Sequence, residues 1–210
     1  MSDLLPLFPL PNVVLFPNVF LPLHIFEPRY REMAASALAA DRMIGMVLLR
    51  PGWEHDYEGR PPIYSVGCSG VITHAEQLHD GRYNIVLRGV ERFRILHEDS
   101  SLSFRRAHTE PLADGALTAS DRIEIRNSRT RLESLLAPAV EKAGADSRMP
   151  ATMSDEDLIN ALAQYLGLEA LEKQALLEQP CLRSRAASLV ELLEMKMMAA
   201  RTPATSHVAH

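Results

Sequence analysis

Residues 4–25 read LLPLFPLPNVVLFPNVFLPLHI, an almost wholly apolar stretch interrupted at Pro6, Pro9, Pro11, Pro17 and Pro22. A membrane span or a signal-peptide core needs an uninterrupted helix, preferably behind a positively charged head. Here the head carries Asp3 and neither Lys nor Arg. Each interior proline would also remove a backbone donor and clash with the preceding turn, at about 3 kcal/mol per site in a helix. The segment is therefore extended. LPLFPLP reads as a short edge-type strand, since proline cannot donate to an interior ladder. NVVLFP reads as a second extended run, favoured by β-branched Val13 and Val14. The opening thus predicts buried, proline-punctuated strands rather than a membrane or secretion signal.

The next elements follow from punctuation and spacing. Pro28 suits the first position of a helix, and Tyr30, Met33, Ala34, Ala37 and Leu38 recur at helical intervals until Asp41-Arg42. MIGMVLL at 43–49 is a strand-length apolar run fit for burial on both faces. RPGWEHDYEGRPP at 50–62 is a long loop bearing Trp53 and Tyr57. Ile63–Glu76 is strand-like, with Gly67 and Gly70 marking a bulge or bend. Asp80-Gly81 is the clearest hairpin signal, joining 71–77 to 82–87. Gly89 is expected to break that second strand before a further strand at 92–96, and 103–110 supplies another. Short strands, frequent turns and one early helix predict a compact, partly closed β-barrel.

Character changes near residue 113. Thr118 with Asp121 and Ser154 with Asp157 resemble capping boxes, each followed by apolar residues at helical spacing. The first of these helices carries Ile123, Ile125, Leu132, Leu135 and Leu136 and is expected to break or kink at Pro138. Further helices are predicted over 168–177 and 182–200. The chain is expected to divide into a β-rich part at 1–112, a helical part at 113–200 and a disordered tail at 201–210.

Composition narrows the function classes. The 210 residues carry a net charge of -5, which gives no general drive toward nucleic acid or anionic membrane. Cys68 and Cys181 are far apart in no ligand motif, so reduced thiols in a cytoplasmic protein are the expectation. No feature specifies an oligomeric state.

Four segments together resemble the N-terminal, LON substrate-binding domain of the ATP-dependent Lon (protease La) family. They are LPLFPLPNVVLFPNVFLPLHIFEPRYREM at 5–33, PPIYSVGCSGVI at 61–72, DGRYNIVLRGVERFRI at 80–95 and LINALAQYLGLEALEKQALLEQP at 158–180. The likeness covers roughly residues 4 to 198. It implies an α+β fold, a PUA-like pseudo β-barrel followed by a C-terminal helical bundle. A full Lon protease continues into ATPase and serine–lysine peptidase modules. This chain has no Gly-x-x-x-x-Gly-Lys-[Ser/Thr] loop, and the dipeptide Gly-Lys never occurs. It therefore looks like a stand-alone domain without proteolytic activity, and the resemblance implies a role in binding polypeptides.

No catalytic residue, metal site or cofactor is expected. There is no GxSxG, HExxH or CxxC pattern. GlyCysSerGly at 67–70 lies in a strand region without a following helix, so Cys68 reads as a buried structural thiol. His74 and His79, with Glu76 and Asp80, read as solvated turn residues rather than metal ligands. Two binding surfaces remain. Trp53 and Tyr57, with Glu27, Arg29 and Tyr30 at the start of the first helix, are candidates for binding unfolded or partner polypeptide segments, because Trp, Tyr and Arg dominate interface hot spots. The alternative is an RNA-binding stripe of Arg82, Arg88, Arg92 and Arg94, which the PUA-like likeness would favour. The acidic charge and the lack of clustered aromatics oppose it. Phe8, Phe16, Phe20 and Phe26 are assigned to the core, and Met195, Met197 and Met198 to closing packing of the last helix.

Overall fold

A computed structural model describes residues 4–57, 59–143 and 153–201. Beyond Arg201, the tail expected to be disordered lies outside the described residues. The fold is α+β. In chain order the strands are β1 (Leu5–Leu10), β2 (Phe20–Ile25), β3 (Met43–Leu48), β4 (Val66–Gln77), β5 (Tyr83–Asp99) and β6 (Arg105–Pro111). Helix α1 (Pro28–Leu38) lies between β2 and β3, and α2 (Ala119–Ala143), α3 (Asp155–Tyr165), α4 (Ala170–Leu177) and α5 (Leu182–Arg201) follow β6.

The strands run in the order β2-β5-β4-β3-β1-β6, and β6 returns to pair with the far half of β5. Five strands thus close into a ring, with β2 attached outside it along the near half of β5. Closure depends on the length of β5. The expected break at Gly89 does not occur, and β5 runs unbroken through Gly70↔Gly89 with a register shift at Ser69/Gly70. Gly89 serves close approach instead. It exchanges backbone hydrogen bonds with the 12–19 segment, Asn18 N–H to Gly89 O and Gly89 N–H to Val19 O, both at 2.9 Å. A Cβ on Gly89 would collide with the Phe16 carbonyl oxygen.

The proline-rich opening departs from expectation in two respects. β1 is an interior strand, parallel to β3 and antiparallel to β6. Leu10 O accepts from Leu49 N–H, so even-numbered residues of β1 present their backbone groups to β3 and odd-numbered ones to β6. Pro6 therefore lacks its donor one residue before the β3 ladder begins, and Pro9 lacks its donor two residues past the last β6 pair. Both prolines fall where no ladder bond is lost. The 12–17 run, moreover, is not a strand. The strand is β2, and it pairs with β5 alone. β2 is thus the edge strand, and Phe20 and Pro22 alternate outward on it. For that reason Phe20 is 50% exposed and Phe26, just past the strand, 60% exposed, whereas Phe8 and Phe16 are core.

Two cores lie on opposite faces of the ring. Leu7, Val47, Phe93 and Ala107 fill its interior. Outside it, Phe16, Met33, Ile44, Met46 and Ile72 pack with Leu132, Ile159, Leu177 and Leu189 of the later helices. β3 is buried almost throughout because its alternate side chains enter different cores.

The helix signals at the termini are realised. Thr118 and Asp121 bond each other reciprocally, backbone N–H to side chain, at 2.9 and 3.1 Å. Ser154 Oγ accepts from Asp157 N–H at 3.0 Å. Pro138 does not end α2, and Ile123 is 62% exposed rather than on the packed face.

Candidate functional site

Helix α1 begins at Pro28, whose missing N–H costs nothing there. Glu27 occupies the cap position in extended conformation, yet its side chain makes no capping bond. It reaches instead toward the 50–62 loop. The Tyr57 hydroxyl donates to Glu27 Oε1 at 2.5 Å, and Arg29 Nε donates to Glu27 Oε2 at 3.1 Å. Arg29 Nη2 also donates to the Tyr57 carbonyl at 3.1 Å. The Arg29 guanidinium lies 4.7 Å from the Tyr30 ring centroid and 5.0 Å from that of Tyr57. Trp53, on a short 3-10 turn at Trp53–Asp56, meets Tyr57 edge-on at 5.4 Å. Glu27, Arg29, Tyr30, Trp53 and Tyr57 thus form one cluster where α1 meets the loop. Tyr30 anchors its inner end, its ring 4.6 Å from Phe8.

Burial, with the Tyr57–Glu27 hydrogen bond, raises the Tyr57 hydroxyl above its ordinary range. Burial also pushes up that of Tyr30. Both phenols stay protonated at neutral pH, and that of Tyr57 donates to Glu27. Burial works against the charge on Arg29, but Tyr30 and Glu27 outweigh it and its pKa rises.

A hollow of about 180 Å³ opens beside this cluster. Arg29, Tyr30 and Tyr57 form one wall, and Arg60, Phe104 and Arg105 another. Arg105 grips Glu98 with two bonds of 2.8 Å and donates to Pro61 O at 2.6 Å. Arg60 donates to the carbonyls of Ser100 and Leu102 at 3.3 and 3.0 Å. Sequence reasoning did not assign Arg60, Phe104 or Arg105 to this site; Arg60 belongs to the 50–62 loop itself, and Phe104 and Arg105 join it through ring closure. A second, more apolar hollow of about 600 Å³ lies at the mouth of the ring, between Leu5, Phe93, Thr109 and the end of α1.

The four β5-region arginines do not form a stripe. Arg82 pairs with Asp80 at 2.6 Å beside the hairpin tip. Arg88 is exposed, and Arg94 is a surface residue 3.4 Å from Glu110. Arg92 is 3% exposed. It donates to Leu177 O at 3.0 Å, to the Gln179 carbonyl and to Asp114, and so holds the turn between α4 and α5. The expected basic face is broken because Arg92, on the same face of β5 as Arg94, is covered by the turn between α4 and α5, which lies far along the chain.

Cys68 is buried and its thiol is pushed up to about 12 by desolvation, which makes it a poor nucleophile. Among the described residues no three His, Cys, Asp or Glu side chains come together to hold a metal ion. Among the described residues, too, no helix is long and apolar enough to cross a membrane.

The sequence of the whole fold matches the family model for the ATP-dependent protease La (LON) substrate-binding domain over residues 4–195. The chain belongs to that family. Two solved Lon N-terminal domain structures share the fold. The N-terminal domain of a Mycobacterium avium complex Lon protease superposes with a TM-score of 0.67 at 16% identity, over 91% of this chain and 98% of that one. A Lon N-terminal domain protein from Xanthomonas campestris gives 0.57 at 22% identity, over 95% and 99%. Lon protease 2 of Myxococcus xanthus is 27% identical over 199 residues, which is 92% of this chain and 24% of that protein. The Lon protease of Trichlorobacter lovleyi is 30% identical over 191 residues, 84% of this chain and 22% of that protein. The chain thus spans about a quarter of the length of these curated relatives, and the shared part is the LON substrate-binding domain.

Proposed function

We propose that this LON substrate-binding domain is a non-catalytic module that captures exposed apolar segments of unfolded or partner polypeptides. The capture groove runs beside the start of α1 and the 50–62 loop. One observation carries this reading: at an accessible loop, Tyr57 is held against the Arg29–Glu27 pair by two hydrogen bonds, and Trp53, a second large amphipathic ring, packs edge-on against it. A preorganised aromatic ledge loses little entropy when a chain lies across it. The family description, a substrate-binding domain of a protease, supports a polypeptide ligand. The matched region is neither an ATPase nor a peptidase module, which supports binding without turnover. The two free cysteines are consistent with action in the cytoplasm.

The test is retention of a permanently unfolded protein, reduced and alkylated at its cysteines, on the immobilised domain. A Trp53→Ala/Tyr57→Ala variant with unchanged circular dichroism should lose at least about tenfold in affinity. Equal retention by wild type and variant would sink the site assignment.

A further inference from the structure

Phe93 plugs the closed ring and leaves a blind hollow at its mouth. A Cβ on Gly45 or Gly67 would lie 2.9 or 2.7 Å from Phe93 Cζ, so two glycines let the phenyl ring settle against the β3 and β4 backbones. With Leu7, Val47 and Ala107 it fills the interior. Over this plug, Leu5, Met43, Ser69, Glu91 and Thr109, one residue from each strand of the ring, line the hollow of about 600 Å³, and the end of α1 walls it on one side. Barrel mouths are a recurrent place for small ligands.

Size and charge narrow the occupant. A cavity of about 150 Å³ admits a benzene ring, so one captured side chain would leave most of this hollow empty. Its volume lies instead within the roughly 300–1,000 Å³ of pockets that enclose a whole small molecule. The charged residues of the lining are Asp41, Glu91 and Arg106. Arg106 is held by Asp99 and Ser101 at 3.3 and 2.9 Å, and its unpartnered Nε is closed off from any ligand. The two carboxylates have no such counter-ion. Among the described residues neither joins an ion pair; Asp41 accepts from Met43 N–H at 3.1 Å, and its neighbour Arg42 donates to Ile72 O instead. Ser69 Oγ spends its proton on the Glu91 carbonyl at 3.1 Å, which leaves it an acceptor. A cleft with apolar walls and uncompensated charge of one sign draws the opposite sign.

We propose that the mouth of the ring binds a small organic cation, an apolar body carrying one ammonium group. The body lies against Leu5, Met43 and Phe93, and the ammonium pairs with Glu91 beside the Ser69 hydroxyl. The site is separate from the Trp53–Tyr57 ledge, so it stands or falls independently of the peptide-binding reading.

Three probes with one body and different heads test it: 4-phenylbutylamine, 4-phenylbutanol and 4-phenylbutanoate. Each is titrated into the intact, isotope-labelled domain and followed by its NMR chemical shifts. The amine should bind about fivefold or more tightly than the alcohol, the gain from one ion pair at the upper end for partly exposed groups. The acid should bind more weakly than either. Shifts should centre on Leu5, Met43 and Thr109 and leave the Trp53 indole N–H unmoved. Glu91→Gln changes an exposed side chain and should fold. It should remove the advantage of the amine and leave alcohol binding unchanged. Equal binding of amine and alcohol, or binding of neither, would overturn the proposal. So would shifts centred on Trp53, since an aromatic ledge can hold an amine by cation–π contact. An N-acetylated, C-terminally amidated Ala-Leu-Lys-Leu-Ala peptide checks for a polypeptide source. If it occupies the mouth more tightly than the amine does, the ligand is a lysine side chain and the small-molecule assignment is wrong.

Discussion

The Tyr57 hydroxyl and the Glu27 carboxylate meet at 2.5 Å across the gap between a thirteen-residue loop and the cap of α1. Among the described residues of 50–62, regular structure is confined to the turn at Trp53–Asp56. This contact, with the Arg29 bond to the Tyr57 carbonyl, fixes the Trp53–Tyr57 part of the loop, while Arg60 and Pro61 are tied to the barrel farther along. Tyr57→Phe removes the hydroxyl and leaves the ring stacked on Arg29. It should cost about 1 kcal/mol in urea unfolding, a typical net value for a partly exposed bond to a charged acceptor. Cleavage within 50–62 by a protease should quicken under native conditions. Unchanged stability together with unchanged cleavage would show that the loop is held by other contacts.

Arg92 and Arg94 lie two positions apart on β5 and should behave as different kinds of residue. Arg92→Met withdraws donors from the Leu177 and Gln179 carbonyls and leaves Asp114 with Arg185 at 3.6 Å, with an expected loss of about 3 kcal/mol or more. Arg94→Met removes an exposed pair with Glu110, for which less than about 1 kcal/mol is expected. Urea denaturation of the two variants side by side decides it.

Gly89 should be nearly irreplaceable. Alanine there drives a methyl group against the Phe16 carbonyl and forces the 12–19 segment off β5, at about 2–3 kcal/mol. Gly115, where an added methyl group would meet no atom within 4 Å, should accept alanine with no measurable loss. A small effect at Gly89 in thermal unfolding would mean that the 12–19 segment is free to shift.

The two thiols should separate cleanly in a labelling experiment. Cys68 is buried with its pKa raised to about 12, whereas the Cys181 thiol is lowered by hydrogen bonds from Ser184 and Arg183 at the start of α5. A thiol-reactive dye should label one site in the folded protein and two in denaturant. Cys181→Ser should abolish the native reaction. Native labelling of Cys68 would imply local opening of the sheet.

Local signals in the chain were dependable where they carried their own partners. Pro28 with the Tyr30–Met33–Ala34–Ala37 spacing, the Asp80-Gly81 turn and the Ser154–Asp157 cap each contain the residues that satisfy them. Errors arose where a distant segment decides. Edge status belongs to β2 and not β1, because β6 arrives from residue 105 onward to cover β1. Gly89 resembles a strand breaker unless one knows that the 12–19 backbone presses on it. Arg92 is indistinguishable from Arg94 in sequence until α4 and α5 settle over it. The candidate site shows the same division. Glu27, Arg29, Tyr30, Trp53 and Tyr57 could be named in advance as loop aromatics and helix-start residues. Phe104 and Arg105 come to them only when β5 pairs with β6.

The pairing of Leu5 with Ala107 has a consequence for biosynthesis. A chain made from its N-terminus produces β1 roughly a hundred residues before the strand that completes its second ladder. Through that interval an apolar strand has an open edge, a template for pairing with other nascent chains. Pro6 and Pro9 cost the finished sheet no hydrogen bond, yet they leave gaps in any foreign ladder that tries to form on β1. The prolines that mark the opening of the sequence thus guard the strand that must wait longest for its neighbour.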